Sequence, residues 1–133
     1  YVIECENEKM VYVTDTGYIK KEVKDYIRDA DYYVFESNHD IEMLMNTRRP
    51  LFLKNRIFGD KGHLNNEYSA HVMAQVIGEN TKEICLAHLS QEANTKEMAL
   101  DTYQRVFDEE HIYFDNIKIA DQKEIVSGGH YEN

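Results

Sequence analysis

The sequence predicts a mixed α/β layer protein. Short apolar or alternating runs of strand length take turns along the chain with stretches whose apolar residues recur at helical spacing. Three of the strand-like runs lead into a side chain able to bind a metal, namely Asp15, Glu36 and His88. In open α/β sheets ligands collect outside strand ends, where loops hold side chains on a rigid base.

The elements come in this order. Val2 to Glu6 alternates and reads as a half-exposed strand, Asn7-Glu8 as a turn, and Lys9 to Thr14 as the returning strand of a hairpin. That second strand runs into Asp15, and Gly17 is expected to supply a backbone conformation that other residues avoid. Val23, Tyr26 and Ile27 mark a short amphipathic helix within Lys20 to Asp29. Tyr32 to Phe35 is a buried strand that ends on Glu36. Ile41 to Met45 reads as a short helix, and Pro50 fits the first turn of another running through Ile57. After a loop from Gly59, Asn66 is expected to cap a helix over Glu67 to Ile77, which Gly78 ends. Ile84 to Ala87 is a third buried strand, ending on His88. A long helix starts at Thr95 with Met98, Ala99, Thr102, Tyr103, Val106 and Phe107 as its stripe. Ile112 to Ala120 reads as a last strand, Lys123 to Val126 as a segment that could pair with it, and Ser127 to Asn133 as a frayed tail. The predicted order is β-β-α-β-α-α-α-β-α-β, with no internal repeat and no low-complexity linker.

Composition narrows the class. The chain has 133 residues, enough for one modest domain, and its 42% hydrophobic content argues against disorder. No apolar run approaches the roughly 18 residues of a membrane span, and no signal-peptide pattern occurs. A net charge of −10 disfavours a general electrostatic grip on nucleic acid, but bound divalent ions would create a local cationic site. Cys5 and Cys85 read as free buried thiols rather than a disulfide or metal pair, which fits a cytoplasmic protein. Tyr1 opens inside strand-like sequence without an initiator Met, as expected of a fragment of a longer protein.

Each candidate site residue has two readings. Asp15 is a turn residue bonding its own backbone, or a carboxylate that needs a cation, since no Lys or Arg lies within four residues of it. Glu36 is a helix N-terminal anion or part of the same site. His63 is a loop histidine or a site residue, and His88 a satisfied core histidine or a ligand. His39 reads as a helix N-terminal or surface residue, and His71, His111 and His130 as surface residues. Arg48, Arg49, Lys54 and Arg56 form a basic cluster, read as a solvated helix face or else a phosphate contact. There is no Gly-rich phosphate loop, no G-x-S-x-G and no H-E-x-x-H.

Four blocks, Thr14-Asp15-Thr16-Gly17, Phe35-Glu36-Ser37-Asn38-His39-Asp40, Gly62-His63-Leu64-Asn65-Asn66 and Leu86-Ala87-His88-Leu89-Ser90, together resemble the second half of metallo-β-lactamase-fold hydrolases. The nearest group is YycJ, also called VicX or WalJ, with the matched blocks spanning about residues 9 to 98. The resemblance implies the C-terminal half, over residues 1–133, of an αββα sandwich with a dinuclear site of two divalent ions, Zn²⁺ or Mn²⁺. It implies Asp15 as the ligand bridging both ions and His88 as a ligand of the second. In the related tRNA 3′-processing nucleases a Glu and a His form a supporting pair at the scissile phosphate, and Glu36 and His63 match them. There the Glu sits in a His-Glu-Ala-Thr run, whereas here Phe35 precedes Glu36 and Ser37-Asn38-His39 follow it.

The His-x-His-x-Asp-His motif of the family's first half is absent, and no two histidines here have H-x-H spacing. For the intact protein the resemblance implies metal-dependent phosphodiester hydrolysis, with DNA or another nucleic acid as substrate and no membrane partner. The alternatives are hydrolysis of a small ester, amide or cyclic phosphate on the same fold, or a non-catalytic half-domain. The isolated segment is expected to be inactive, to need the N-terminal half of the fold, and to dimerise, swap or be marginally stable.

Overall fold

The computed structural model describes residues 1–59 and 62–129. The chain forms β1 (Val2–Cys5), β2 (Glu8–Val13), α1 (Lys21–Ile27), β3 (Tyr32–Glu36), α2 (Ile41–Met45), α3 (Leu51–Phe58), α4 (Asn66–Val76), β4 (Glu83–Ala87), α5 (Lys96–Glu109) and β5 (Ile117–Ile119). Element types and order are those read from the sequence. His130, Tyr131, Glu132 and Asn133 lie outside the described residues, and with them the surface reading of His130 and most of the expected tail.

One five-stranded sheet has the order β1-β2-β3-β4-β5. β1 runs antiparallel to β2, and every later pairing is parallel. The hairpin turn holds Glu6 at φ 55°. Each parallel step joins neighbouring strands in chain order through helix. Crossovers of the one hand that such units adopt place all their helices on the same side of the sheet. The burial pattern agrees. Val11, Tyr33, Phe35, Ile84 and Leu86 are fully buried, and they form a core with Ala70, Met73 and Val76 of α4 and Ala99, Tyr103 and Val106 of α5. Their strand neighbours point the other way. On that second face Ile3 and Tyr12 are exposed, and a cavity of about 310 Å³ lies over Met10, Tyr32, Val34 and Cys85.

Tyr33 ties this core to the ends of two helices. Its hydroxyl donates to the Ile27 carbonyl at 2.6 Å and accepts from the Ala30 amide at 3.1 Å. Burial pushes its pKa up to about 12.

Four local expectations are corrected. Asn65, not Asn66, caps α4, accepting from the Tyr68 amide at 2.8 Å; Asn66 is the first helical residue and turns inward. The last strand is three residues long, because Ile112 is spent closing the end of α5 on the Phe107 carbonyl. Lys123 to Val126 pairs with no strand; just beyond it the Gly129 amide bonds to Glu83. Both cysteines are free as expected, but Cys5 is exposed because the edge hairpin has no cover, and Cys85 is half-buried.

His39 sits just ahead of Asp40, the cap of α2, and is completely buried rather than exposed. Burial, and secondly the nearby His63, lower its pKa from 6.5 to about 4. The unfolded chain therefore takes up this proton first as pH falls. The contribution of neutral His39 to stability is full above about pH 6.5 and is lost progressively down to about pH 4, a change on the order of 3 kcal/mol. Urea midpoints at pH 7 and pH 4.5 should fall further apart for the wild type than for His39→Gln; equal differences would contradict this.

Candidate metal centre

The site assembles where the parallel strands end. β2 and β4 each terminate one or two residues before a side chain held in the left-handed backbone region, Asp15 at φ 60° and His88 at φ 59°. Asp and His tolerate this conformation better than most residues, yet it still costs energy relative to an extended strand. β3 ends on Glu36 itself, whose side chain is fully buried. His63 comes from the loop ahead of α4.

Glu36 is the hub. Its Oε2 accepts from the Asp15 amide at 3.1 Å and the Leu64 amide at 3.3 Å. Its Oε1 lies 2.8 Å from His63 Nδ1 and 2.5 Å from His88 Nδ1. Four donors fill the roughly four acceptor sites of one carboxylate. The Asp15 carboxylate, 69% exposed, stands 3.8 Å from His63 Nδ1 and 3.6 Å from His88 Nδ1. The two imidazole rings are 5.1 Å apart, tilted by 58°.

Asp15, Glu36, His63 and His88 thus bring one ligand atom each within 4.8 Å of the others. Imidazole nitrogens and carboxylate oxygens are the donor set that divalent transition ions take. Among the described residues neither carboxylate pairs with a Lys or Arg. Two carboxylates converge here on two imidazoles, so the cluster fits a cation. With Nδ1–H given to Glu36, each ring has Nε2 left for other work.

The frame behind the cluster is a buried polar network. Ser37 Oγ donates to Asn66 Oδ1 at 2.6 Å, and the Asn66 amide donates to Asn94 Oδ1 at 2.9 Å. Asn94 Nδ2 returns to the Ser37 and Asn38 carbonyls at 2.9 and 3.1 Å. Asn38 Nδ2 holds the His88 carbonyl at 2.7 Å. The sequence names Ser37 and Asn38 only as part of a resemblance block and gives no sign of Asn94. Apart from the adjacent Thr95 amide, its partners lie 28 to 57 residues away, so no local pattern marks it.

Gly17 has a role other than the one expected. The unusual backbone conformation belongs to Asp15, whereas a Cβ on Gly17 would lie 1.9 Å from the Gly59 carbonyl oxygen and 3.1 Å from the Gly62 amide. The glycine lets the Asp15 turn touch the loop that delivers His63. Gly17→Ala is expected to cost about 1–3 kcal/mol by overpacking and to displace His63. Thermal denaturation and the His63 ring signals in NMR would report both; an unchanged midpoint and spectrum would refute it.

His71 and His111 do not belong to this cluster. His71 is partly exposed, 3.5 Å from Glu67, and His111 is exposed. The basic cluster divides. Lys54 is buried and caps the end of α2 through the Met45 and Thr47 carbonyls, each at 2.8 Å. Arg48 and Arg56 are exposed, and Arg49 lines a groove beside His63 and His88.

Parallel strands with helices, carrying an Asp/Glu/His cluster at their ends, are consistent with a metallo-β-lactamase-like fold, and comparison with known proteins makes the chain a relative of that class. It is 46% identical over 109 residues to exodeoxyribonuclease YycJ of Bacillus anthracis, covering 82% of this chain and 41% of that protein. It is 43% identical over 94 residues to exodeoxyribonuclease WalJ of Streptococcus pneumoniae, covering 71% and 35%. The chain belongs to the YycJ/WalJ-like exodeoxyribonuclease family. It spans about two fifths of the length of these relatives. No family model matches it. Among the described residues no helix is long and apolar enough to cross a membrane.

Proposed function

We propose that this chain is the C-terminal half of a metallo-β-lactamase-fold phosphodiesterase that hydrolyses DNA or another nucleic acid. The convergence of Asp15, Glu36, His63 and His88 carries this reading. The relatives' names, as exodeoxyribonucleases, support the substrate class. Two divalent ions, Zn²⁺ or Mn²⁺, when bound would supply charge neutralisation of the phosphate and a lowered pKa for the attacking water. Asp15 would bridge the pair and His88 would hold one of them. An N-terminal half of the fold would bring the remaining ligands and cover the open sheet face. Without it, the segment would be inactive and would bury that face against a second copy.

His63 is the catalytic residue in this reading. Glu36 holds its Nδ1, fixing the ring so that Nε2 is the working atom. Protonated there, His63 meets the developing charge and donates to the leaving oxygen as the phosphodiester bond breaks. Glu36 acts through both rings and touches no substrate.

The experiment is hydrolysis of a labelled DNA strand by the protein containing this chain and its missing half, with ion content measured in parallel. Hydrolysis should require the ions. His63→Ala should lower kcat by about 10²–10⁴-fold while the ions stay bound. An ion-free protein, or one that cleaves equally well with chelator, would overturn the reading. The net charge of −10 favours one competitor, a small phosphodiester as substrate. A polyanion should lose affinity steeply with salt, and a small substrate should not.

A further inference from the structure

We propose that Arg49 grips the phosphate of the substrate strand next to the one being hydrolysed, and that Glu92 holds it ready. The inference rests on the nucleic-acid reading above and adds a positioning residue to it. A groove of about 350 Å³ opens beside the metal-ligand cluster, lined by Asn38, Arg49, His63, His88, Ser90 and Gln122 among others. Its lining is polar, as a path for a phosphodiester backbone requires. The chain is acidic overall, so a cation placed here stands out. Among the described residues, Arg49 is the only Lys or Arg lining this groove.

The geometry of Arg49 suits a phosphate. Its Nε lies 3.0 Å from Glu92 Oε2, and among the described residues it makes no other hydrogen bond. The two terminal nitrogens of the guanidinium therefore remain for a ligand, and they form the fork that matches two phosphate oxygens. The side chain is one-third exposed, so the ligand can reach it. Glu92 is more exposed and orients the guanidinium while competing with the incoming phosphate for its charge. The groove floor is set by side-chain amides: Gln91 Nε2 donates to Gln122 Oε1 at 2.6 Å, and Gln122 Nε2 donates to the Leu89 carbonyl at 2.5 Å. Of the four basic residues that the sequence groups together, this one alone faces the histidines.

The test measures binding of a fluorescein-labelled single-stranded DNA 12-mer by anisotropy. It uses the protein containing both halves, loaded with its ions, with His63→Ala to stop turnover. Adding Arg49→Ala should raise Kd about tenfold at low salt and flatten the slope of log K against log[salt] by about 0.7, one phosphate contact's worth. Adding Glu92→Gln should tighten binding a few-fold. A strand with one methylphosphonate beside the scissile linkage should bind more weakly to the arginine-containing protein and equally weakly to the Arg49→Ala form. An unchanged Kd and slope on Arg49→Ala, weaker binding on Glu92→Gln, multiplying effects of the two neutralisations, or no strand binding at all would each overturn the proposal. Arg49-dependent binding by a wild-type protein that cleaves nothing would uphold the contact and sink the hydrolase reading instead.

Discussion

Glu36→Ala is expected to cost the fold roughly 3 kcal/mol or more and to scatter the four-residue cluster. The carboxylate is fully buried at the end of β3 and receives the amides of Asp15 and Leu64 together with Nδ1 of His63 and of His88. Alanine leaves those donors without their acceptor, and each buried orphan costs about 1–3 kcal/mol. It also frees three segments, the turn after β2, the loop before α4 and the end of β4, which this side chain joins at one point. Glu36→Gln separates the two effects. The amide keeps the volume and one oxygen, but its NH₂ faces imidazole nitrogens that had donated to it, so one ring must turn or change tautomer. The fold of Glu36→Gln should survive with a loss of about 1–2 kcal/mol, while ion affinity drops about 10–100-fold. Urea denaturation and zinc titration by calorimetry measure the two. Equal midpoints and equal zinc uptake in wild type and Glu36→Ala would show that the carboxylate organises nothing.

The strand ends were legible in the sequence because a buried apolar run that stops at Asp, Glu or His is a local event. Val11-Tyr12-Val13, Tyr33-Val34-Phe35 and Ile84-Cys85-Leu86 announce buried strands, and their parallel pairing puts the polar residues at their ends along one rim of the sheet. Local spacing pairs no functions: Glu36 reads locally as a helix-start anion, and its pairing with His63 came only from the resemblance. That the same carboxylate also reaches His88, 52 residues away, is shown by the fold alone. The role of Gly17 was hidden for the same reason: its neighbour in space, Gly59, lies far along the chain. Asn94 and Asn66 look like ordinary loop and cap residues, yet they form the buried floor under Ser37 and Asn38. Local patterns reveal where a chain breaks, and side chains that bind across the breaks obey no spacing rule.

The second large effect is expected at His88, where the ring and the backbone pull in opposite directions. His88 takes φ 59° one residue after β4. Glycine meets no Cβ penalty there, and alanine meets it in full, about 1 kcal/mol or more. His88→Gly should therefore be more stable than His88→Ala by about 1 kcal/mol. Both lose an imidazole from a cluster of four donors, and both should lose ion affinity by two orders of magnitude or more. Zinc at 100 times Kd should stabilise the wild type by about 2.7 kcal/mol and leave both variants almost unmoved. Asp15, at φ 60° after β2, should repeat the pattern with Asp15→Gly and Asp15→Ala. Two strained residues at neighbouring strand ends, both aimed at one small cluster, are a cost that the apo fold carries without return. Holding an ion would offset it. If the glycine variants prove less stable than the alanine ones, or zinc raises their midpoints as far as it raises the wild type's, then the backbone is not strained for this purpose and the cluster does not hold an ion.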